Sequence, residues 1–259
     1  MYVLYYDKEN RWTKKFGYGI ILANSGGGTM KDIPLFTTEN GVASLSISQI
    51  PYTAKAYIRI QDSILPDALL QECCDFCRAV GAQEIYATGH DYLKKFQRFS
   101  RILRMRCSVD AVEDTNACLF PVTEQTVERF REIYNHSMKN VPNASYMTLA
   151  DSKKLIAEGS GYFVHQNGEV LGIGVVKGNK VEAISSLISG AGKTVLLTLF
   201  GALTEPVVEL EVAEENKPAM ALYQKTGFVP VEEIADWYKI NEACQGKILD
   251  KTLCILCDT

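Results

Sequence analysis

The sequence predicts a mixed α+β protein, because strand-like and helix-like segments alternate along most of its 259 residues. Short runs rich in β-branched and aromatic residues, such as Val170–Val176, are bounded by polar turns and indicate strands. Other segments place apolar residues at steps of three and four, which indicates amphipathic helices. Hydrophobic residues make up 47% of the chain and charged residues 22%, a composition typical of a globular protein with a packed core.

The length suits one large domain or two of ordinary size, and we expect two, at residues 1–118 and 119–259. The N-terminal domain is expected to be the smaller α+β unit, with strands followed by a helix over Pro66–Val80 and a strand over Glu84–Thr88. The helix–strand–helix–strand order of residues 66–112 loosely matches the second half. We therefore interpret the first half as a degenerate copy of the second, which shapes the acceptor site or an oligomer contact.

Charge patterning predicts one further helix in the first half. Basic side chains at helical spacing fall on one face of the segment 94–106, with apolar side chains on the other. The basic residues are Lys94, Arg98 and Arg101, and the apolar ones are Phe96, Phe99 and Leu103. We interpret this segment as a solvated amphipathic helix.

Capping and turn residues locate several elements of the second half. Thr123 can cap a first helix, and Thr148 and Asp151 stand at capping-box spacing around the start of a second helix at Leu149–Glu158. Asn167-Gly168 predicts a tight hairpin turn between two strands. Final strands are expected near Glu232–Ile240 and Lys247–Cys257.

The most informative stretch is Asn216–Phe228, which reads N-K-P-A-M-A-L-Y-Q-K-T-G-F. It follows a strand-like run at Val207–Val212, and Pro218 stands in the first turn, where a helix tolerates proline. Gly227 ends the helix as glycine does after a C-cap. One helix face carries the side chains of Ala219, Leu222 and Tyr223.

A second informative stretch lies upstream. Val181–Ile188 is predicted to be a strand, Ser189–Gly192 a tight connection and Thr194–Leu203 a buried helix. Glycines at a helix start let backbone N–H groups point outward, and the helix dipole adds partial positive charge there. With Lys193 beside it, this terminus suits a pyrophosphate.

Together these two stretches resemble the signature regions of the GCN5-related N-acetyltransferases, and the element order of residues 119–259 is similar to the whole acyl-coenzyme A N-acyltransferase fold of that family. The family pattern N-x-x-A-x-x-L-Y-x-x-x-G-F is matched at every fixed position. The cofactor pattern Q/R-x-x-G-x-G/A is matched at Gly190 and Gly192, whereas Leu187 stands where Gln or Arg is usual. The resemblance implies transfer of an acetyl group from acetyl-coenzyme A to a primary amine, without a metal.

The resemblance also implies roles for individual residues. Tyr223 is the family-matched donor of a proton to the leaving thiolate, and Asn216 is expected to hydrogen-bond the cofactor arm. The thioester carbonyl is expected against backbone N–H groups near Leu187 and Ile188. The pyrophosphate is assigned to Gly190, Ala191, Gly192, Lys193 and Thr194.

No general base is identified from the residues. Glu182, Glu209 and Glu211 lie on the two predicted strands beside the site, and we interpret each as a solvated surface carboxylate. The acceptor, a small-molecule or peptide amine, is expected to be selected by the loop Met138–Met147. That loop offers neutral polar side chains and no acidic one.

The sequence allows three other interpretations. The string G-A-G-K-T resembles part of a nucleotide-binding P-loop, but that motif needs a glycine five residues before Gly192, where Leu187 stands. A protein that retains coenzyme A without catalysis, or a regulatory protein with a closed pocket, remains an alternative. Asn216 and Tyr223 together argue against both, because packing alone would not require them.

Composition limits the partners. With a net charge of −4, the chain has no general attraction to nucleic acid or anionic membranes, and neither is expected as a partner. No signal peptide is visible, and the apolar stretch Val195–Leu203 is too short to cross a bilayer, so we expect a cytoplasmic protein. A homodimer is left open.

The eight cysteines predict buried thiols rather than a zinc site. Those with helical or strand-like apolar flanks are Cys73, Cys74, Cys77, Cys254 and Cys257. Free cysteines of this kind are usually packed in a core.

Overall fold

The computed structural model describes residues 30–109 and 115–240, together with the backbone of Val3–Tyr6 and Trp12–Lys15. The predicted strand at Lys247–Cys257, with its two cysteines, lies outside these residues. No helix within the described ranges has the length and apolar character needed to cross a membrane.

The chain divides into two compact units, each described here by itself. Among the described residues, unit 1 holds those up to Arg98 and those from Trp237 onward, and unit 2 holds Phe99–Asp236. The predicted boundary at 118/119 falls inside unit 2, because most of the strand Gln97–Ser108 pairs with Val207–Ala213. The assignment of independent domains therefore stays a prediction.

Unit 1 is a mixed sheet with one long helix. Its elements are β1 (Val3–Tyr6), β2 (Trp12–Lys15), β3 (Ile33–Thr38), β4 (Gly41–Ser46), α1 (Ile50–Thr53), β5 (Lys55–Ser63), α2 (Pro66–Ala79), β6 (Glu84–Thr88) and a 3-10 helix (Asp91–Lys95). Strands β1 and β2 pair separately. The larger sheet has the order β3-β4-β5-β6, antiparallel except for the parallel pair β5-β6.

The core of unit 1 lies between α2 and this sheet. Leu69 and Leu70 of the helix are fully buried in one cluster with Ile58 of β5. The three cysteines of α2, Cys73, Cys74 and Cys77, are buried in the same cluster. Burial raises the pKa of the Cys77 thiol to about 12. The prediction of packed thiols is confirmed for these three residues.

Unit 2 is a larger mixed sheet covered by helices. Its elements are β7 (Gln97–Ser108), β8 (Cys118–Pro121), α3 (Val127–Met138), α4 (Leu149–Glu158), β9 (Gly161–Gln166), β10 (Glu169–Lys177), β11 (Lys180–Ser186), α5 (Gly192–Leu199), a 3-10 helix (Phe200–Ala202), β12 (Val207–Ala213), α6 (Lys217–Lys225) and β13 (Val229–Ile240). The strand order is β13-β7-β12-β11-β10-β9-β8. Strand β13 continues into unit 1, where its last residues pair with β6.

The two faces of this sheet carry different helices. On one face α5 and α6 pack on β12, with Leu196 and Tyr223 in one cluster with Leu210. On the other face α3 and α4 pack on β10, with Phe130 against Ile173. A ligand that lies between two strands of this sheet therefore has α5 and α6 on one side and α3 and α4 on the other.

Local signals predicted several boundaries of unit 2 correctly. Helix α4 spans the predicted residues, and its capping box is formed by the Asp151 N–H donating to Thr148 Oγ1 (3.2 Å) and the Thr148 N–H donating to Asp151 Oδ2 (2.9 Å). The hairpin turn holds Asn167 and Gly168 at φ angles of 52° and 81°, as a primed turn requires. The cap of α3 was placed wrongly: it is Thr126 and not Thr123.

The predicted helix over 94–106 is wrong, because β7 occupies most of it. In its second half Arg104 and Arg106 alternate with apolar residues at a period of two, and Met105 is buried between them. Arg104 lies directly opposite Glu211 of β12, and Arg106 lies opposite Glu209. Opposite-charge pairs across two strands stabilise pairing, so Arg104 and Arg106 stabilise the sheet.

The close packing of β10 against β11 and α5 leads to a stability prediction. A Cβ added to Gly172 would lie 2.3 Å from the Ser185 carbonyl oxygen and 2.8 Å from Val195 of α5. Gly172→Ala should therefore lower the free energy of unfolding by on the order of 2–3 kcal/mol, measured by urea denaturation. Gly201→Ala is the matched control, because its added carbon would meet nothing closer than 3.7 Å. Equal stability of the two variants would contradict the close packing around Gly172.

Candidate functional site

The central feature of unit 2 is a gap between two neighbouring parallel strands. Strands β11 and β12 are paired only at Lys180↔Glu209 and Val181↔Leu210, although both strands are described in full and continue beyond these pairs. On its other edge, β12 is paired with β7 along its whole length. The gap therefore arises because β11 turns away while β12 is held in place.

A β-bulge explains why β11 turns away. The register between β10 and β11 passes from Val175↔Ala183 to Val176↔Val181, so Glu182 has no counterpart on β10. An extra residue of this kind bends its strand and breaks the local ladder. The bulge lies directly after Val181, which is the last residue of β11 that pairs with β12.

The bulge also exchanges the directions in which backbone groups point. Before it, the Asn179 carbonyl accepts from the Glu209 N–H of β12 (2.9 Å). After it, the Leu187 N–H donates to the Leu171 carbonyl of β10 (2.8 Å). Because successive residues alternate in an antiparallel pair, the N–H and C=O groups of Ile184 and Ser186 face the gap.

These directions correct the role predicted for the Leu187 N–H, which is engaged inside the sheet. The predicted strand also ends early, at Ser186 rather than Ile188, because the Ser186 hydroxyl donates to the Ile188 carbonyl (2.6 Å) in the following turn. The Leu187 side chain is 43% exposed. The backbone beside the gap thus belongs to Ile184 and Ser186, which the sequence did not single out.

The turn after β11 presents the start of α5 to solvent. Gly190 has a φ angle of 84°, which favours glycine, and an added Cβ would meet no atom within 4 Å. The helix has no side-chain cap. The N–H groups of Gly190, Gly192 and Thr194 have no hydrogen-bond acceptor in the described part of the chain. Exposed N–H groups at a helix start form an anion-binding site, and exposed Lys193 adds a positive charge there.

Helix α6 lies against this turn and carries the tyrosine. Gly192 faces Leu222 of α6, with 3.4 Å between an added Cβ and the nearest methyl group. Tyr223 is 6% exposed, and burial raises its pKa to about 12. Its hydroxyl has no partner among residues 30–109 and 115–240. A buried, protonated hydroxyl of this kind can donate a proton to a ligand.

Asn216 caps the helix that holds Tyr223. Its side-chain oxygen accepts from the Ala219 N–H at 3.4 Å, and its backbone N–H donates to the Ala213 carbonyl at 2.9 Å. Asparagine is a preferred N-cap because its oxygen satisfies one of the free N–H groups at a helix start. The hydrogen bond from Asn216 to a cofactor arm stays a prediction, and its side-chain NH2 group is the part left to make it.

Two of the three candidate bases are held in short ion pairs, although the Glu182 side chain is 43% exposed, as predicted for a surface carboxylate. Glu182 lies 3.1 Å from the Lys177 ammonium, and Glu209 lies 2.7 Å from Arg106. The Glu209 side chain is only 13% exposed. Both carboxylates therefore already have a close cationic partner.

Glu211 is held less closely. Its contact is with the Arg104 guanidinium at 3.4 Å, and that group also contacts Glu232 and Glu209. The Glu211 side chain is 48% exposed. Since Leu210 before it packs against α5, Glu211 points to the face of α3 and α4, at the start of the gap.

The loop between α3 and α4 is fixed by its own polar groups. The Asn135 side chain donates to the Met147 carbonyl (3.1 Å) and accepts from the Met147 N–H (2.7 Å). The Ser100 hydroxyl donates to Asn143 Oδ1 (2.6 Å), and Ser145 hydrogen-bonds the half-buried Tyr134. Asn143 and Ser145, two of the neutral polar side chains of this loop, thus hold the loop in place.

Residues 30–109 and 115–240 contain no cluster of three or more histidine, cysteine, aspartate or glutamate side chains that could bind a metal ion.

The sequence matches no protein-family profile and no curated protein. The structure is similar to solved structures at low sequence identity. It matches a GCN5-related N-acetyltransferase from Sphaerobacter thermophilus at 10% identity and a TM-score of 0.52, covering 77% of this chain and 76% of that one. It matches another from Anabaena variabilis at 12% identity and a TM-score of 0.51, covering 77% and 59%.

A conserved Staphylococcus epidermidis protein of unknown function is similar at 11% identity and a TM-score of 0.53, covering 78% of this chain and 90% of that one. Likeness at this identity establishes architecture and not activity. The chain has the fold of the GCN5-related N-acetyltransferases.

Proposed function

We propose that this protein is an acetyl-coenzyme A-dependent N-acetyltransferase whose acceptor is a primary amine. The observation that carries the proposal is the gap between β11 and β12, bordered by the backbone groups of Ile184 and Ser186. An extended amide chain can pair with such an open strand as an added strand would. The pantetheine arm of coenzyme A has this character.

The start of α5 supports the same ligand. The backbone N–H groups of Gly190, Gly192 and Thr194 with the Lys193 ammonium would hold the pyrophosphate. The turn leaves no glycine loop long enough to surround a triphosphate, which favours coenzyme A over a nucleotide. The exposed Leu187 supplies no charge, so backbone groups and Lys193 would carry this contact.

In the proposed reaction the amine nitrogen attacks the thioester carbon, a C–N bond forms and the C–S bond breaks. Glu211 accepts the proton that the amine loses, because of the three candidate carboxylates it has the most distant cationic partner and stands at the start of the gap. Tyr223 donates its proton to the leaving sulfur. Acceptors reach the carbonyl from the face of α3 and α4.

Within its described residues, unit 1 has no corresponding gap between its parallel strands. Strands β5 and β6 are parallel and joined by a helix, as β11 and β12 are, yet they pair without interruption from Lys55↔Glu84 to Arg59↔Thr88. Calorimetric titration with acetyl-coenzyme A should therefore give one equivalent bound per chain, with no binding of ATP. Binding of ATP alone would contradict the proposal, and binding of neither ligand would favour a regulatory protein with a closed pocket.

Tyr223→Phe tests the proton donor. The ring stays packed against Phe228, whose ring centroid is 5.7 Å away, and only the hydroxyl is lost. We expect kcat to fall about 100-fold while the Kd for acetyl-coenzyme A changes less than about threefold. A variant that keeps the rate, or that loses binding and rate equally, would remove Tyr223 from this role.

Glu211→Gln tests the proton acceptor. We expect kcat/KM for the amine to fall about 100-fold near pH 7 and the deficit to narrow as pH rises, because hydroxide can then accept the proton that the attacking nitrogen loses. Glu209→Gln is the matched control on the same strand face and should change the rate less than about threefold. Similar losses in the two variants, independent of pH, would show a role for the ion pairs in folding alone.

A further inference from the structure

A hydrogen bond between two hydroxyls joins α3 to the strand beside the gap. The Ser185 hydroxyl of β11 donates to the Ser137 oxygen of α3 at 2.7 Å, and both residues are half-buried. A serine hydroxyl has one proton and two lone pairs. Because Ser185 uses its proton for Ser137, it presents only lone pairs to any ligand.

Ser185 carries these lone pairs on the strand that borders the gap. It stands between Ile184 and Ser186, whose backbone groups face the gap. Its side chain points to the face of α3, since its partner lies on that helix. Glu211 points to the same face from the other side of the gap.

Two amide side chains of this region are already engaged. Asn135 and Asn143 hold the loop after α3 to Met147 and Ser100 respectively. The Ser185 lone pairs are therefore a polar contact that remains for an acceptor on this side of the gap.

We propose that Ser185, oriented by Ser137, selects primary amines by accepting a hydrogen bond from the attacking nitrogen; this inference rests on the proposed acetyl transfer. A neutral primary amine has two N–H groups. One donates to Ser185 and is kept in the amide product, and the other loses its proton to Glu211. A secondary amine has a single N–H, so it cannot satisfy both residues and is a poorer acceptor.

Two small amines that differ in one methyl group provide the test: glycinamide, a primary amine, and its N-methyl derivative, a secondary amine. We expect the unaltered protein to prefer glycinamide in kcat/KM by about tenfold or more. Ser185→Ala should raise KM for glycinamide about tenfold and remove most of that preference, with an unchanged Kd for acetyl-coenzyme A. Ser185→Thr, which keeps a hydroxyl, should restore the preference.

Ser137→Ala should weaken the preference partially, because Ser185 then loses its fixed orientation. Thr115→Val is the matched control. It removes a hydroxyl–hydroxyl hydrogen bond of the same length, between Thr115 and Thr198 of α5, and should leave kcat/KM for both amines unchanged.

If the serine variants keep the full preference for glycinamide, the selection by Ser185 is overturned and the proposed function stands. If the unaltered protein binds acetyl-coenzyme A but acetylates neither amine, the selection is overturned together with the proposed transfer.

Discussion

The site of this protein depends on one extra residue in one strand. Glu182 has no counterpart on β10, and its insertion both bends β11 away from β12 and turns the backbone groups of Ile184 and Ser186 toward the space that opens. In an unbroken ladder the backbone groups of Ile184 and Ser186 would be paired with β12. The corresponding groups of β5 and β6 are paired in this way. The gap follows from this bulge.

A gap of this kind persists only if its second wall is rigid. Strand β12 is paired with β7 from Val207 to Ala213, and the Arg104 and Arg106 side chains stabilise that pairing against the glutamates of β12. Arg101 of β7 adds a two-pronged ion pair to Asp236 of β13 (2.7 and 2.9 Å). Polar contacts on one face and apolar packing of α5 and α6 on the other thus hold β12 while β11 departs.

Local signals in the sequence predicted the elements around the site well, because capping boxes, Asn-Gly turns and glycines at positive φ act within a few residues. They missed features that depend on distant pairing. Arg101 suggested a helix face because its partners, Glu233 and Asp236, lie more than a hundred residues away. The bulge at Glu182 has no signature of its own, so backbone groups near Leu187 and Ile188 were expected beside the site, whereas those of Ile184 and Ser186 border the gap. The Ser137–Ser185 pair was missed because its two residues are distant in sequence.

Amide hydrogen exchange of Ile184 and Ser186 tests the central claim most directly. Because both N–H groups face an open gap, they should exchange quickly in the free protein, whereas the Leu187 N–H, bonded to Leu171, should be protected. Saturating acetyl-coenzyme A should slow exchange at Ile184 or Ser186 at least tenfold and leave Leu187 unchanged. Protection of both residues without the ligand, or no change when it is bound, would contradict the account.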